Sequence, residues 1–220
     1  MISFFKKNKN HPDFWKDYER KFQHKLPELI QDVRFVVLDT ETTGFDLKKD
    51  RILCIGAVNL EHNNIEISRT LELYIDQETF NPDTVKIHGI IKNEDLNTLT
   101  EREALVTFLN YIENAVLVAH HAQFDIAMIN HALKRLGLPK LKNKVLDTMV
   151  LYRATRINSN LIDQNKHYSL DEVAENLNIS VKDRHTAAGD AMITAIAFLK
   201  IVAKLNKKDK GKLKHLLQVN

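Results

Sequence analysis

Three apolar, strand-like runs follow one another early in the chain: Arg34 to Leu38, Arg51 to Leu60 and Ile65 to Ile75. The last two are separated by Glu61-His62-Asn63-Asn64, whose asparagines tolerate the backbone of a tight turn. Strands joined this way form an antiparallel meander, so one edge of the fold is set before any long helical pattern begins. After residue 100 the pattern alternates. Thr100 and Glu103 have the spacing of a capping box, and Leu105, Phe108, Leu109 and Ile112 follow at helical intervals, predicting a helix to about Asn114. Ala115 to Ala119 reads as a buried strand. It leads through His120-His121-Ala122 into a helix that Gly137 and Pro139 stop. Val145-Leu146 make a short fifth strand. Ser169 with Glu172 starts a helix to about Leu177, and a last helix begins after His185, with Met192, Ile196, Leu199 and Val202 as its buried stripe. The expected fold is α/β: a mixed five-stranded sheet, antiparallel meander plus parallel strands, covered by helices.

With 220 residues, one main domain suffices. We expect it over residues 32–206, preceded by a helical extension, 1–31, whose Phe4, Phe5, Phe14, Trp15 and Phe22 pack on it, and followed by a basic tail, 207–220. Lys207, Lys208, Lys210, Lys212 and Lys214 in that tail suit either a phosphate backbone or a solvated helix end. A net charge of +3 neither requires nor excludes a polyanionic partner. The sole cysteine, Cys54, lies in an apolar run and reads as an inert buried thiol, which rules out a disulfide within the chain. The N-terminal stretch has no signal-peptide pattern, and the most apolar later run, Ala191 to Val202, is too short to span a bilayer and is broken by Lys200. No membrane partner is expected, and cytoplasmic residence follows as the default.

The chemistry is carried by acids. In Val36-Val37-Leu38-Asp39-Thr40-Glu41-Thr42-Thr43-Gly44, two carboxylates appear on alternate residues where an apolar strand ends, and period two puts both on one face. Adjacent carboxylates repel unless a cation neutralises them, so the pair suits a hard divalent ion; an isolated Asp-x-Glu is equally a solvated strand end. Asp125, in the first turn of its helix, has the ordinary reading of an acid complementing the helix dipole. Asp190 falls in the first turns of the last helix, among buried positions, with His185 in the loop before it. A neutral imidazole on a loop is a natural general base near neutral pH, although a cap or surface role is also open.

Taken together and in order, Asp39 and Glu41, Asp125 in His121-Ala122-Gln123-Phe124-Asp125, and His185 and Asp190 in His185-Thr186-Ala187-Ala188-Gly189-Asp190-Ala191 resemble the DEDDh exonucleases. That family includes the proofreading epsilon subunits of bacterial DNA polymerase III and ribonuclease T. The resemblance covers roughly residues 34–204, and His88-Gly89-Ile90 is similar to the family's His-Gly-Ile element. It implies a ribonuclease H-like fold and 3′-5′ exonuclease activity on single-stranded or frayed DNA, with release of nucleoside 5′-monophosphates. It also implies two divalent ions, Mg2+ with Mn2+ as a substitute. Asp39, Glu41, Asp125 and Asp190 would be the ligands, and His185 the base. Thr40, Thr42, Gly44, His88, His121 and Phe124 would contact substrate. One departure is His121, where family members often have Asn; altered substrate contact is the expected consequence. A polymerase partner fits the proofreading members.

Two other functions are compatible with parts of this pattern: trimming of RNA 3′ ends or short oligonucleotides by the same chemistry, and an inactive nucleic-acid-binding or polymerase-docking domain. Intact motifs argue against the second. Asp147, in Val145-Leu146-Asp147-Thr148, mimics the first motif but has Met149 two residues on, and reads as a helix cap or structural acid. His120, His121 and His131 lack the partners of a zinc site.

Overall fold

The fold is given by a computed structural model, which describes residues 11–77, 97–156, 166–209 and 211–219; side chains of 206–209 are left out of the description. Elements are numbered as they occur among these residues. Helix α1, Asp13–Lys21, precedes a short 3-10 turn at Ile30–Asp32; then come β1 (Phe35–Thr42), β2 (Ile52–Glu61) and β3 (Asn64–Tyr74). After these follow α2 (Glu101–Ile112), β4 (Val116–Ala119), α3 (Gln123–Arg135), β5 (Val145–Asp147), α4 (Thr148–Arg156), α5 (Leu170–Asn176), α6 (Ala187–Asp209) and α7 (Leu213–Val219).

The five strands form one sheet in the order β3-β2-β1-β4-β5. Strands β1 to β3 are the antiparallel meander, with His62 and Asn63 at positive φ in the turn, and β4 and β5 add in parallel on the other side of β1. The expected five-stranded mixed sheet is therefore the one found. Both capping boxes form, with Thr100 and Ser169 each accepting from the N3 amide while Glu103 and Glu172 reach back. Each such cap stabilises its helix by about 1 kcal/mol.

Strand alternation sorts the core into two layers. Phe35 and Val37 of β1 pack with Phe198 and Ile201 of α6, beside α4, α5 and α7. Val36 and Leu38 face the other way, into a layer built with α1, α2 and α3. Trp15 and Tyr18 bury α1 in that second layer, and the Tyr18 hydroxyl donates to Asn143 Oδ1 at 2.6 Å, tying α1 to the loop before β5.

Helix α6 differs from its expected stripe. Val202 is buried, but Met192, Ile196 and Leu199 are only partly so, while Ala191, Ala195, Phe198 and Ile201 are fully covered. The helix crosses β1 and β2 on one side and meets α4 on the other, so more than one stripe is enclosed. Leu213 and Leu216 of α7 also enter this layer, and Leu29 forms a bridge with Lys212. Helix α4, which the sequence pattern did not single out, continues directly from β5.

Candidate active site

The face preference of β1 carries on past its apolar part. Asp39 and Glu41 continue the side of Phe35 and Val37, toward α6, whereas Thr40 continues the side of Val36 and Leu38, toward α3. Each face meets an acid from the helix that covers it. From α6 comes Asp190, and one carboxylate oxygen each of Asp39, Glu41 and Asp190 lie within 4.8 Å of one another. From α3 comes Asp125, buried, whose Oδ1 accepts both the Thr40 amide (3.0 Å) and the Thr40 hydroxyl (2.7 Å). Asp125 thus stands apart from the three-acid group and is locked to the strand between them.

Close packing brings α6 to this position. Asp39 pairs with Gly56 of β2, and a Cβ on Gly56 would lie 2.1 Å from the backbone of Ala187. Only a glycine lets the first turn of α6 rest on the strand there. A Cβ on Gly189 would meet the Asp183 carbonyl at 1.9 Å, so the loop carrying His185 is folded tightly against the same turn. His185 is exposed, with φ of 66°, and its amide faces Asp190 Oδ1 at 3.4 Å. Such a backbone is uncommon for a non-glycine residue and persists only where its surroundings impose it.

The electrostatics are those of a site built for a cation. Burial, then the charges of Asp125, Asp190 and Glu41, push the Asp39 carboxyl well above the usual carboxylate range, against the opposing pull of Arg184. Burial followed by Asp190 and Asp125 raises Glu41 to about 7. Asp125 is raised to about 7 by burial, with the Thr40 hydrogen bond opposing. An all-oxygen donor set in which Asp39 and Glu41 are raised by burial and by their acidic neighbours fits a hard divalent ion, which would remove the repulsion. Among the described residues, this is the group of three acids, histidines or cysteines that could hold a metal. His120, by contrast, is held by Thr148 Oγ1 and the Tyr168 carbonyl, both at 2.9 Å, and burial lowers it to about 4.

Of the residues expected to contact substrate, Thr40, Thr42 and Gly44 lie at or just after the end of β1, and His121 and Phe124 around the start of α3. Thr42 donates its hydroxyl to the Gly44 carbonyl at 2.8 Å, and Thr43 donates to Asp50 at 2.8 Å, fixing the turn after β1. A Cβ on Gly44 would meet the Asp50 carboxylate at 2.5 Å, so this turn closes on a residue without a side chain. Thr40 has both of its donors on Asp125. Phe124 is half-buried, and its ring lies 5.7 Å from that of Phe45, which is 80% exposed. His121 is exposed at φ 56°, its ring stacked near that of His167 at 6.2 Å. His88 lies outside the described residues.

Sequence reasoning passed over Phe45 and Arg184. Phe45 carried a legible signal, a large aromatic next to Gly44 in a polar turn. Arg184 stood beside His185 but had no motif of its own. Its guanidinium bridges two helices, with Nε and Nη2 donating to Asp171 at 2.6 and 3.0 Å and Nη1 donating to Asp190.

Comparisons with known proteins match most of the chain. A family model described as Exonuclease matches residues 36–198. A PolC-type DNA polymerase III from Caldanaerobacter subterraneus subsp. tengcongensis is 37% identical over 174 residues, 79% of this chain but 12% of that protein. The DNA polymerase III epsilon subunit of Aquifex aeolicus is 32% identical over 182 residues, 82% of this chain and 86% of the subunit. Among solved structures, E. coli ExoI in a zinc-bound complex with single-stranded DNA superposes with a TM-score of 0.66 at 19% identity, over 81% of this chain and 42% of that one. That last likeness concerns the fold alone. The chain thus covers only a small part of the PolC-type relatives and most of the epsilon subunits, and it belongs to the exonuclease family.

Proposed function

We propose that this protein is a 3′-5′ exonuclease that removes nucleotides from single-stranded or frayed DNA ends as nucleoside 5′-monophosphates, in proofreading or repair. The observation that carries the reading is the meeting of Asp39, Glu41 and Asp190 at the end of β1, with Asp125 locked behind the strand. Asp39, Glu41 and Asp190 would hold divalent ions, Mg2+ physiologically and Mn2+ as a substitute, and Asp125 would complete the ligand set. Two such ions would supply charge stabilisation for the displacement at phosphorus. His185, on its exposed loop, takes the proton of the attacking water. Phe45 and Phe124 offer an aromatic platform on which terminal bases stack, a contact that tolerates any sequence. Thr42 and Gly44 line the floor through their backbone, and His88 and His121 meet the strand.

Relatives named as DNA polymerase III support association with a polymerase, and the cytoplasm is the proposed compartment. Among the described residues no helix is long and apolar enough to cross a membrane. A time course with Mg2+ on single-stranded DNA, mismatched duplex DNA and RNA of one sequence tests the reading. Preferential shortening of the single strand and the mismatched end is expected; equal or faster loss of RNA makes RNA trimming the function, and no degradation of any substrate overturns the enzyme.

A further inference from the structure

The carboxylate group at the end of β1 contains one built-in positive partner. Arg184 lies in the loop between α5 and α6 and is only partly accessible. Its Nε and Nη2 form a two-pronged contact with Asp171 at the start of α5, leaving Nη1 to reach Asp190 at the start of α6. Asp190 therefore has two rival claims on it: one carboxylate oxygen is among those that converge with Asp39 and Glu41, and Oδ2 accepts from Arg184. Asp171 is exposed and off the site, so its pairing anchors the guanidinium without contributing to the three-acid group.

We propose that Arg184 is a positioning residue that acts as the resident counter-ion of this site: it holds Asp190 when no divalent ion is present and yields it when one binds. The inference rests on the divalent-ion reading of the site. Its logic is charge balance. Three converging carboxylates repel in a partly dry setting, and a guanidinium on one of them keeps the first turn of α6 in place until a metal arrives. The same charge opposes an incoming dication, so the exchange sets metal affinity. Because Asp171 retains Nε and Nη2, Arg184 needs only to release the Nη1 contact, not to leave the site.

A merely structural salt bridge and a counter-ion give opposite signs. If Arg184 only braces the loop, its removal loosens Asp190 and weakens metal binding. If it competes with the ion, removal tightens binding. The experiment measures Mn2+ binding by electron paramagnetic resonance of the free ion, with the full chain as wild type, Arg184→Met, Arg184→Gln and Arg184→Lys. Thermal melts in EDTA and at saturating Mn2+ accompany it. The neutral variants are expected to bind Mn2+ roughly tenfold more tightly than wild type, to melt lower in EDTA and to gain more from Mn2+. The lysine variant, which keeps the charge, should bind within about threefold of wild type. Should the methionine variant not fold, the glutamine variant carries the same comparison. Neutral variants that bind Mn2+ no more tightly than wild type overturn the counter-ion role, whereas a wild-type chain that binds no Mn2+ overturns the metal site itself.

Discussion

Two strands of this sheet carry the same four-residue sequence at or near their ends. Val37-Leu38-Asp39-Thr40 closes the apolar part of β1, and Val145-Leu146-Asp147-Thr148 runs from β5 into α4. Their acids do opposite work. Asp147 accepts the amides of His121 (3.1 Å), Ala122 (3.1 Å) and Met149 (2.9 Å), so it holds the positive-φ turn ahead of α3 and the start of α4. Asp39 meets carboxylates instead, and burial together with their charge raises it well above the ordinary range. A carboxylate surrounded by N–H groups is a structural anchor; one surrounded by other carboxylates needs a cation. The four shared residues alone do not decide between the two, because the deciding partners come from α3 and α6, far along the chain.

Neutralising each acid in turn should separate the two roles. Asp39→Asn is expected to lower exonuclease activity on the order of a thousandfold or more, the scale of losing several kcal/mol of transition-state charge stabilisation. Its melting temperature in EDTA should hold or rise, since one member of a repelling group is gone. Asp147→Asn should cost activity about 10–100-fold, the range seen when support behind a site is lost. It should also melt about 5 °C lower, because charged hydrogen bonds worth about 1.5–3 kcal/mol are weakened. Opposite signs in melting temperature, read by calorimetry, are the sharpest form of the contrast.

Much of this arrangement was legible in the chain. The meander, both capping boxes and the five strands followed from periodicity and turn chemistry, because those signals are local. The site residues followed from the order of their motifs, and Asp147 was separable from Asp39 by the absence of an acid two positions on. What was not legible depended on tertiary contact. The enclosed faces of α6 are set by α4 and the sheet together, the burial of Leu213 and Leu216 by the return of the chain onto Leu29, and the Arg184 bridge by the approach of α5 to α6.

A smaller effect tests how the helix reaches the strand. Gly56→Ala places a methyl against the backbone of Ala187, which must retreat and carry Asp190 away from Asp39. Overpacking of this kind costs about 1–3 kcal/mol, and about tenfold in activity should accompany it through the displaced ligand. Kinetics at rising Mn2+ check this, because the displaced ligand should raise the metal concentration needed for half-maximal rate.

The gentlest probe is pH. Glu41 and Asp125 are each raised to about 7, so the folded metal-free chain keeps protons that the unfolded chain releases nearer pH 4. Stability from these two groups is complete below the ordinary carboxylate range and is lost as pH rises through about 7. His120, lowered to about 4, works the other way: its contribution is complete above the ordinary histidine range and is lost as pH falls through about 4. Because the two carboxyls outnumber His120, melts in EDTA should decline as pH rises from about 4 to about 7, and saturating Mn2+ should remove the decline. A decline of equal size with and without the ion would place its origin outside the carboxylate group.

The most direct measurement is the fate of a 5′-labelled single-stranded DNA incubated with Mg2+ and the wild-type chain, Asp39→Asn or Asp147→Asn. Wild type should shorten the strand progressively from its 3′ end, Asp147→Asn should do so more slowly, and Asp39→Asn should leave it intact. Wild-type shortening by Asp39→Asn, or equal inactivity of the two variants at matched folded concentration, would contradict the division of labour between these twin sequences.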